Sequence, residues 1–360
     1  MFPSFVLGMV SIVASRRRKK KEDGKGTRPV VSREEVAGIL KKYYGIEHSK
    51  IRDLDSYDDL NFRVETEEEF YVLKVFSSRR GDASMVIMEN KAMEHIESNS
   101  KNVAIPRVIS PRLSHRNGVV TFFSRANPET PYYVRLLTYL RGTLFGHMKE
   151  PASEDLLERL GRALGDMDCA LSDFDCASAH RKWEWDLTNC FEEGKKYCEY
   201  IEDVENREIA KRALSEYANV VIPLYDKLRW RVIHSDANDY NICVDKNGRV
   251  GIFDFGDMVY SPLVHNVSIA IAYACLKQKD FMAAAKSVLR GYRSVLDLSD
   301  LEMNVLFPCI KARLAHSVCK SAYSRYLEPD NEYISVTEGD AWRLLRALSS
   351  SKSNNLCTSI

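Results

Sequence analysis

The stretch Val232–Met258, VIHSDANDYNICVDKNGRVGIFDFGDM, decides how the rest of the chain is read. Two short apolar runs, Ile242-Cys243-Val244 and Val250-Gly251-Ile252-Phe253, enclose Asp245-Lys246-Asn247-Gly248. Asn-Gly between such runs is a hairpin signal. His234 to Asn241 is then a loop leading into the hairpin, and Asp254 sits where the second strand ends. The hairpin folds the loop back onto Asp254, so Asp236, Asn241 and Asp254 are expected to point into one cleft. Two carboxylates and an amide oxygen are hard ligands, and they suit Mg²⁺ shared with phosphate oxygens.

The spacing H-x-D-x-x-x-x-N followed by D-F-G is the phosphoryl-transfer arrangement of eukaryotic-like kinases. In that scheme Asp236 accepts the hydroxyl proton of the acceptor, Asn241 and Asp254 hold the metal, and His234 braces the catalytic loop. The same scheme demands a lysine on a sheet nearer the N-terminus and a helix carboxylate to pair with it. Lys74 in YVLKVF and Glu89 in the following helical stretch meet that demand in order. A lysine flanked by apolar residues in a strand is rarely buried without a partner.

Outward from these motifs, Ser32-Arg33-Glu34-Glu35 has capping-box spacing ahead of a helix ended by Gly45. Asn61–Thr66 and Phe70–Phe76 read as two strands around the turn Glu67-Glu68-Glu69, and Val119–Arg125 and Tyr132–Leu140 as two more. Leu157, Leu160, Leu164, Met167 and Leu171 form one helical stripe, and Ile209, Ala213, Tyr217, Val220, Leu224 and Leu228 another. A second capping-box spacing lies at Ser299 and Glu302. The expected class is α+β, a bilobal protein-kinase-like fold with a small antiparallel β-rich N-lobe and a larger, mainly helical C-lobe. The expected boundaries are a basic tail over 1–28, a nucleotide-binding lobe over 29–138, a catalytic and acceptor-binding lobe over 139–350 and a tail over 351–360.

Composition narrows the function classes. The 360-residue chain carries a formal net charge of +1, which does not mark a nucleic-acid binder. Its nine cysteines include no CxxC pair, so a reducing compartment fits better than a disulfide framework or a zinc site. The apolar Met1–Ala14 is too short to span a bilayer, and its basic run Arg16–Lys21 follows rather than precedes it. Cytoplasmic location is therefore expected and membrane contact through 1–21 is not, the alternative being an organelle-targeting or tethering tail. No stable protein partner is expected.

Two absences refine the kinase reading. No G-x-G-x-x-G loop precedes Lys74; Asp55 to Phe62 occupies its place. No A-P-E segment follows Asp254, where Asp257, Tyr260 and Pro262 lead straight into a helix. There is little chain to dock a protein substrate, so a small-molecule acceptor is expected. HSDANDYNI with GIFDFGDMVYSP resembles the aminoglycoside phosphotransferase and choline kinase superfamily. LDSYDDLNF, YVLKVF, YYVRLLTYLRG and AYSRYLEPDNEYISVT are similar, within it, to the hydroxylysine kinase family.

The resemblance implies transfer of the γ-phosphate of GTP, with ATP possible, to 5-hydroxy-L-lysine with Mg²⁺. It also implies nucleotide contacts at Lys74, Glu89, Asn61, Leu137 and Tyr139. For the acceptor, Asp257 and Asp239 are candidates to receive an ammonium, and Arg313 and His316 the carboxylate. The same chemistry on another amino alcohol or an aminoglycoside-like sugar stays open, as does an inactive kinase-like binding module. Trp183 and Trp185 read as core anchors.

Overall fold

The structure is a computed structural model describing residues 28–47, 49–54, 56, 59–76, 83–100, 102–112, 116–327, 329 and 337–350. The tails, part of the Asp55–Phe62 loop and most of EPDNEYISV lie outside the described residues. The chain divides into two compact units. Residues up to Lys91 and Arg107–Tyr139 form the first; Ala92–Pro106 and the chain from Leu140 form the second. The sequence boundary at 138/139 thus lies one residue from the observed one, while residues 92–106 group with the second unit.

In the first unit, α1 (Arg33–Ile39) starts at Ser32, whose side chain accepts from Glu35 N–H while the Glu35 carboxylate receives Ser32 N–H. It widens into a π-turn over Leu40–Tyr44 before Gly45 ends it. The antiparallel sheet comprises β1 (Lys50–Leu54), β2 (Leu60–Glu65), β3 (Phe70–Phe76), β4 (Val108–Ile109), β5 (Val120–Ser124) and β6 (Asn127–Thr138). Its order is β1-β2-β3-β6-β4, with β5 also pairing β6. Val36, Ile39 and Leu40 pack on Phe62, Val64, Leu73, Val75, Val120, Val134 and Leu136, alternate residues of neighbouring strands, which is how a period-two pattern buries one sheet face. The helix α2 (Ser84–Asn99) carries Glu89 and Asn90, both fully buried.

The second unit is built around α3 (Glu154–Ala170), α4 (Cys190–Tyr197), α5 (Val204–Val220), α6 (Leu263–Ala274), α7 (Phe281–Arg293), α8 (Asp300–Leu327) and α9 (Glu338–Ser350). Every residue of α6 is buried. The expected capping box at Ser299 and Glu302 opens α8, which runs through Pro308. Glycines let α3 and α7 approach closely: a Cβ on Gly161 would stand 1.9 Å from Val288 O, and one on Gly291 1.9 Å from Glu158 O.

Two small strand groups place the site. β7 (Thr143–Leu144), β9 (Ile242–Val244) and β10 (Val250–Ile252) form one sheet in the order β10-β9-β7. β8 (Trp230–Ile233) pairs antiparallel with β11 (Val259–Pro262), Ile233 opposite Val259. The β9–β10 turn closes through Gly248 N–H to Asp245 O at 3.0 Å around Lys246 and Asn247, and Gly248 follows at φ +75°, a left-handed position that favours glycine. These two pairings bring residues 234–241 and 253–258 to the same strand ends.

Candidate active site

The loop after β8 is held in an uncommon backbone conformation. Ser235 has φ +65° and Asp254 φ +63°, both left-handed and both non-glycine, and such conformations persist only where surroundings enforce them. Ser235 N–H donates to Asn266 Oδ1 at 3.1 Å. Asn266 Nδ2 donates to Asp168 Oδ1 at 2.7 Å, and Tyr292 OH to Asp168 Oδ2 at 2.7 Å. Burial pushes the Asp168 carboxyl up to about 7, against these two donors. His234 Nδ1 accepts from Asp236 N–H at 3.3 Å, so the proton sits on Nε2, 3.1 Å from Phe253 O. His234 is a brace between the loop and the strand that ends at Asp254.

Asp236 accepts from three side chains. Its Oδ2 accepts from Asn238 Nδ2 at 2.8 Å and from Asn241 Nδ2 at 2.7 Å; its Oδ1 accepts from Arg313 Nη2 at 2.7 Å. Burial above all, and then the neighbouring Asp257, holds its carboxyl well above the usual carboxylate range, against the pull of Arg313 and Asn238. Asn241 commits Nδ2 to Asp236 and thereby keeps Oδ1, its hard donor, as the remaining acceptor. Its backbone O takes Phe253 N–H at 3.0 Å, which sets Asp254 next in line. A carboxylate and an amide oxygen suit a Mg²⁺ that draws its other ligands from phosphate and water. Among the described residues no group of three or more His, Cys, Asp or Glu is placed to hold an ion without them.

The segment Arg181–Asp186 wraps this loop. Arg181 Nη2 donates to Gly256 O at 2.7 Å and Met258 O at 3.0 Å, and its guanidinium stacks on Trp183, 4.3 Å from the ring centre. Trp183 Nε1 donates to Asp257 Oδ1 at 3.0 Å. Trp185 O accepts from Arg313 Nη1 at 3.2 Å. Asp186 Oδ1 accepts from Ser261 Oγ at 2.8 Å. That hydroxyl lies 3.0 Å from His265 Nδ1, and His265 Nε2 lies 3.0 Å from Tyr217 OH. Burial drives the His265 pKa down to about 3, so it stays neutral in this chain of bonds.

The first unit holds a separate buried cluster. Lys74 and Arg135 are directly opposite across β3 and β6, 6% and 1% exposed. Like charges in that register repel. Two α2 residues offset this: Glu89 forms an ion pair with Arg135, and Asn90 Oδ1 receives Arg135 Nη1 at 2.8 Å. Asn61, opposite Lys74 in β2, has a buried Oδ1 with no hydrogen-bond partner among the described residues. Leu137 is buried in β6, and the Tyr139 ring lies 4.9 Å from the Arg63 guanidinium.

Comparison with known proteins matches residues 50–299 to the APH phosphotransferase enzyme family. The chain belongs to this family. It is 29% identical to hydroxylysine kinase of Mus musculus over 345 residues, covering 89% of this chain and 90% of that protein. It is 27% identical to the Xenopus laevis hydroxylysine kinase over 346 residues, with the same coverage. Among solved structures it resembles an amicoumacin kinase, with TM-score 0.65, 14% identity and coverage of 88% of this chain and 93% of that one. A microcompartment-associated aminopropanol kinase gives TM-score 0.64, 17% identity and coverage of 87% and 98%. These likenesses establish the protein-kinase-like fold of APH phosphotransferases, and this chain is a phosphotransferase.

Within this APH domain the catalytic-loop residues His234, Asp236 and Asn241 gather at one place, with Asp254 and Asp257 on the adjoining turn. Two expectations need correction. Arg313 was expected to meet an acceptor carboxylate; it is instead buried, with one Nη donating to Asp236 Oδ1 and the other to Trp185 O. His316, also assigned to that carboxylate, is fully buried beside Trp185. Neither ring nitrogen has a hydrogen-bond partner among the described residues, and burial with nearby Arg313 and Lys320 holds it neutral. Asp239, expected near the same loop as a receiver of an ammonium, lines a small pocket with Phe145, Gly146, Tyr273 and Lys277, and burial pushes its carboxyl up to about 6. Trp183 and Trp185 are more than core anchors, since both bond to site residues. Arg135, Arg181 and Asn266 carry no motif spacing. The one available signal was an arginine amid the apolar YYVRLL run.

Proposed function

We propose that this phosphotransferase transfers the γ-phosphate of GTP to the hydroxyl of 5-hydroxy-L-lysine. The observation that supports it most is the bonding of Asp236: a half-buried carboxylate held by three side chains at the position of the kinase base, in a chain 27–29% identical over about nine-tenths of its length to hydroxylysine kinases. In this reading Asp236 takes the acceptor proton. Asn241 and Asp254 would hold Mg²⁺, which when bound neutralises developing phosphate charge. Lys74, kept in place in the strand opposite Arg135, contacts the nucleotide phosphates, and Asn61, Leu137 and Tyr139 lie along the nucleotide. Asp257, held by Trp183, receives an ammonium of the acceptor. The eight described cysteines are free, which supports a reducing, cytoplasmic setting.

A coupled nucleoside-diphosphate release assay tests the reading. GTP and ATP are each offered with Mg²⁺ against hydroxylysine, choline, ethanolamine, homoserine and an aminoglycoside. Release with GTP and hydroxylysine is expected. Preference for another acceptor replaces the substrate assignment, and no release with any of them overturns the enzyme reading in favour of a binding module.

A further inference from the structure

We propose that Arg313 is a positioning residue for the base: from α8 it fixes Asp236 Oδ1 as the oxygen that receives the acceptor proton. This rests on the role proposed above for Asp236. A carboxylate oxygen has two lone-pair sites. Both sites of Asp236 Oδ2 are taken, by Asn238 Nδ2 at 2.8 Å and Asn241 Nδ2 at 2.7 Å. Among the described residues Oδ1 receives only Arg313 Nη2, at 2.7 Å, and keeps one site. A general base needs an unoccupied lone pair aimed at the proton it removes, so the proton goes to Oδ1. In that step the acceptor O–H bond breaks toward Asp236 and the acceptor oxygen bonds to the γ-phosphorus. The bond from that phosphorus to the β–γ bridging oxygen breaks, and the nucleoside diphosphate leaves with the electron pair.

The orientation of Oδ1 is then set by what fixes Arg313. Its side chain is 2% exposed. Its second Nη donates to Trp185 O at 3.2 Å. Its guanidinium carbon stands 5.3 Å from the Trp185 ring centre and 5.4 Å from that of Tyr273. A planar fork spans a backbone carbonyl and a carboxylate at once; a lysine ammonium on a flexible stem reproduces the charge but not the fork. Burial opposes the charge of Arg313, and Tyr273 and Asp236 hold it protonated. Buried and bonded to the Asp236 carboxylate, Arg313 serves the base rather than the acceptor carboxylate.

The test is steady-state kinetics on the full chain with Mg²⁺, GTP and hydroxylysine for wild type, Arg313→Gln, Arg313→Lys, Asp236→Asn and the Asp236→Asn/Arg313→Gln double variant. Arg313→Gln is expected to lower kcat by about 10²-fold while the acceptor KM and nucleotide affinity stay within about three-fold. Arg313→Lys should recover part of the loss. In the Asp236→Asn background the Gln change should cost less than about three-fold, because residues acting as a unit are not additive. A raised acceptor KM with unchanged kcat, an equal cost in both backgrounds, or unchanged kinetics overturns the inference. If Arg313→Gln shows no cooperative melting, the kcat and KM of Arg313→Lys decide alone. Failure of hydroxylysine itself as acceptor removes only the substrate assignment, and the comparison then runs on whichever acceptor, or water, is turned over. A wild-type chain inert with all of them overturns both.

Discussion

Asp236 shows how the surroundings of one residue suit the proton transfer proposed for it. Burial and Asp257 hold its pKa up, which strengthens it as a base, and the donors that support its carboxylate leave one lone pair unconsumed. Asn238, Asn241 and Arg313 do this, one from within the loop, one from its end and one from a helix 77 residues away. Asp236→Asn keeps the size of the side chain but puts an NH2, which cannot accept a hydrogen bond, in place of one carboxylate oxygen and removes the basic group. It is expected to lower kcat by about 10²–10⁴-fold with nucleotide affinity unchanged, measured by turnover alongside fluorescent-nucleotide titration. Wild-type turnover would remove Asp236 from the mechanism. His234, Asp236, Asn241 and Asp254 were legible because their relation is set by one loop and one hairpin. Arg313, Asn266 and Arg135 were not, because their partners are fixed by helix packing and strand register, to which local spacing is blind.

At the scale of elements, the loop is supported from below by α3, α6 and α7. Asp168 of α3 accepts from Asn266 of α6 and Tyr292 of α7, and Asn266 receives Ser235. The Asp168 carboxyl, raised by burial to about 7, lies above the ordinary carboxylate value reached on unfolding. Its contribution to stability is therefore complete below about pH 4 and is lost as pH rises toward 7, at up to about 1.4 kcal/mol per pH unit. Asp168→Asn should flatten that part of the curve of urea midpoint against pH; an unchanged slope would assign it elsewhere.

The α3–α7 contact makes a second demand. Alanine for glycine in a helix gains up to about 1 kcal/mol from propensity. At Gly161, however, the new Cβ would lie 1.9 Å from a backbone oxygen, and overpacking of this kind costs about 1–3 kcal/mol or more. Gly161→Ala should lower the denaturant midpoint despite its better propensity. The helical stripe through Leu157, Leu160 and Leu164 was readable from period alone. The close approach at Gly161 was not, because a glycine within such a stripe looks only like a weak helix position.

For the whole molecule, the family match over residues 50–299 spans both units, and each carries part of the proposed machinery: the Lys74–Arg135–Glu89 cluster in one, the Asp236–Asn241–Asp254 group in the other. The β-rich and mainly helical composition of the two units was legible from the change in periodicity after Gly142. The assignment of residues 92–106 to the second unit was not, since it depends on a tertiary contact, Ile252 N–H to Ala104 O at 2.9 Å. No helix of the described residues is long and apolar enough to cross a membrane. With only two protein oxygens proposed to hold the ion, Mg²⁺ should bind chiefly with nucleotide. A chelator is therefore expected to abolish turnover and restored Mg²⁺ to return it; turnover that persists would contradict Asn241 and Asp254 as ligands.

The most direct measurement is mass spectrometry of hydroxylysine incubated with GTP, Mg²⁺ and either the wild-type chain or Asp236→Asn. Phosphorylated hydroxylysine formed by the wild type and reduced to a trace by the variant is the predicted result. Equal product from both, or none from the wild type, would contradict the account.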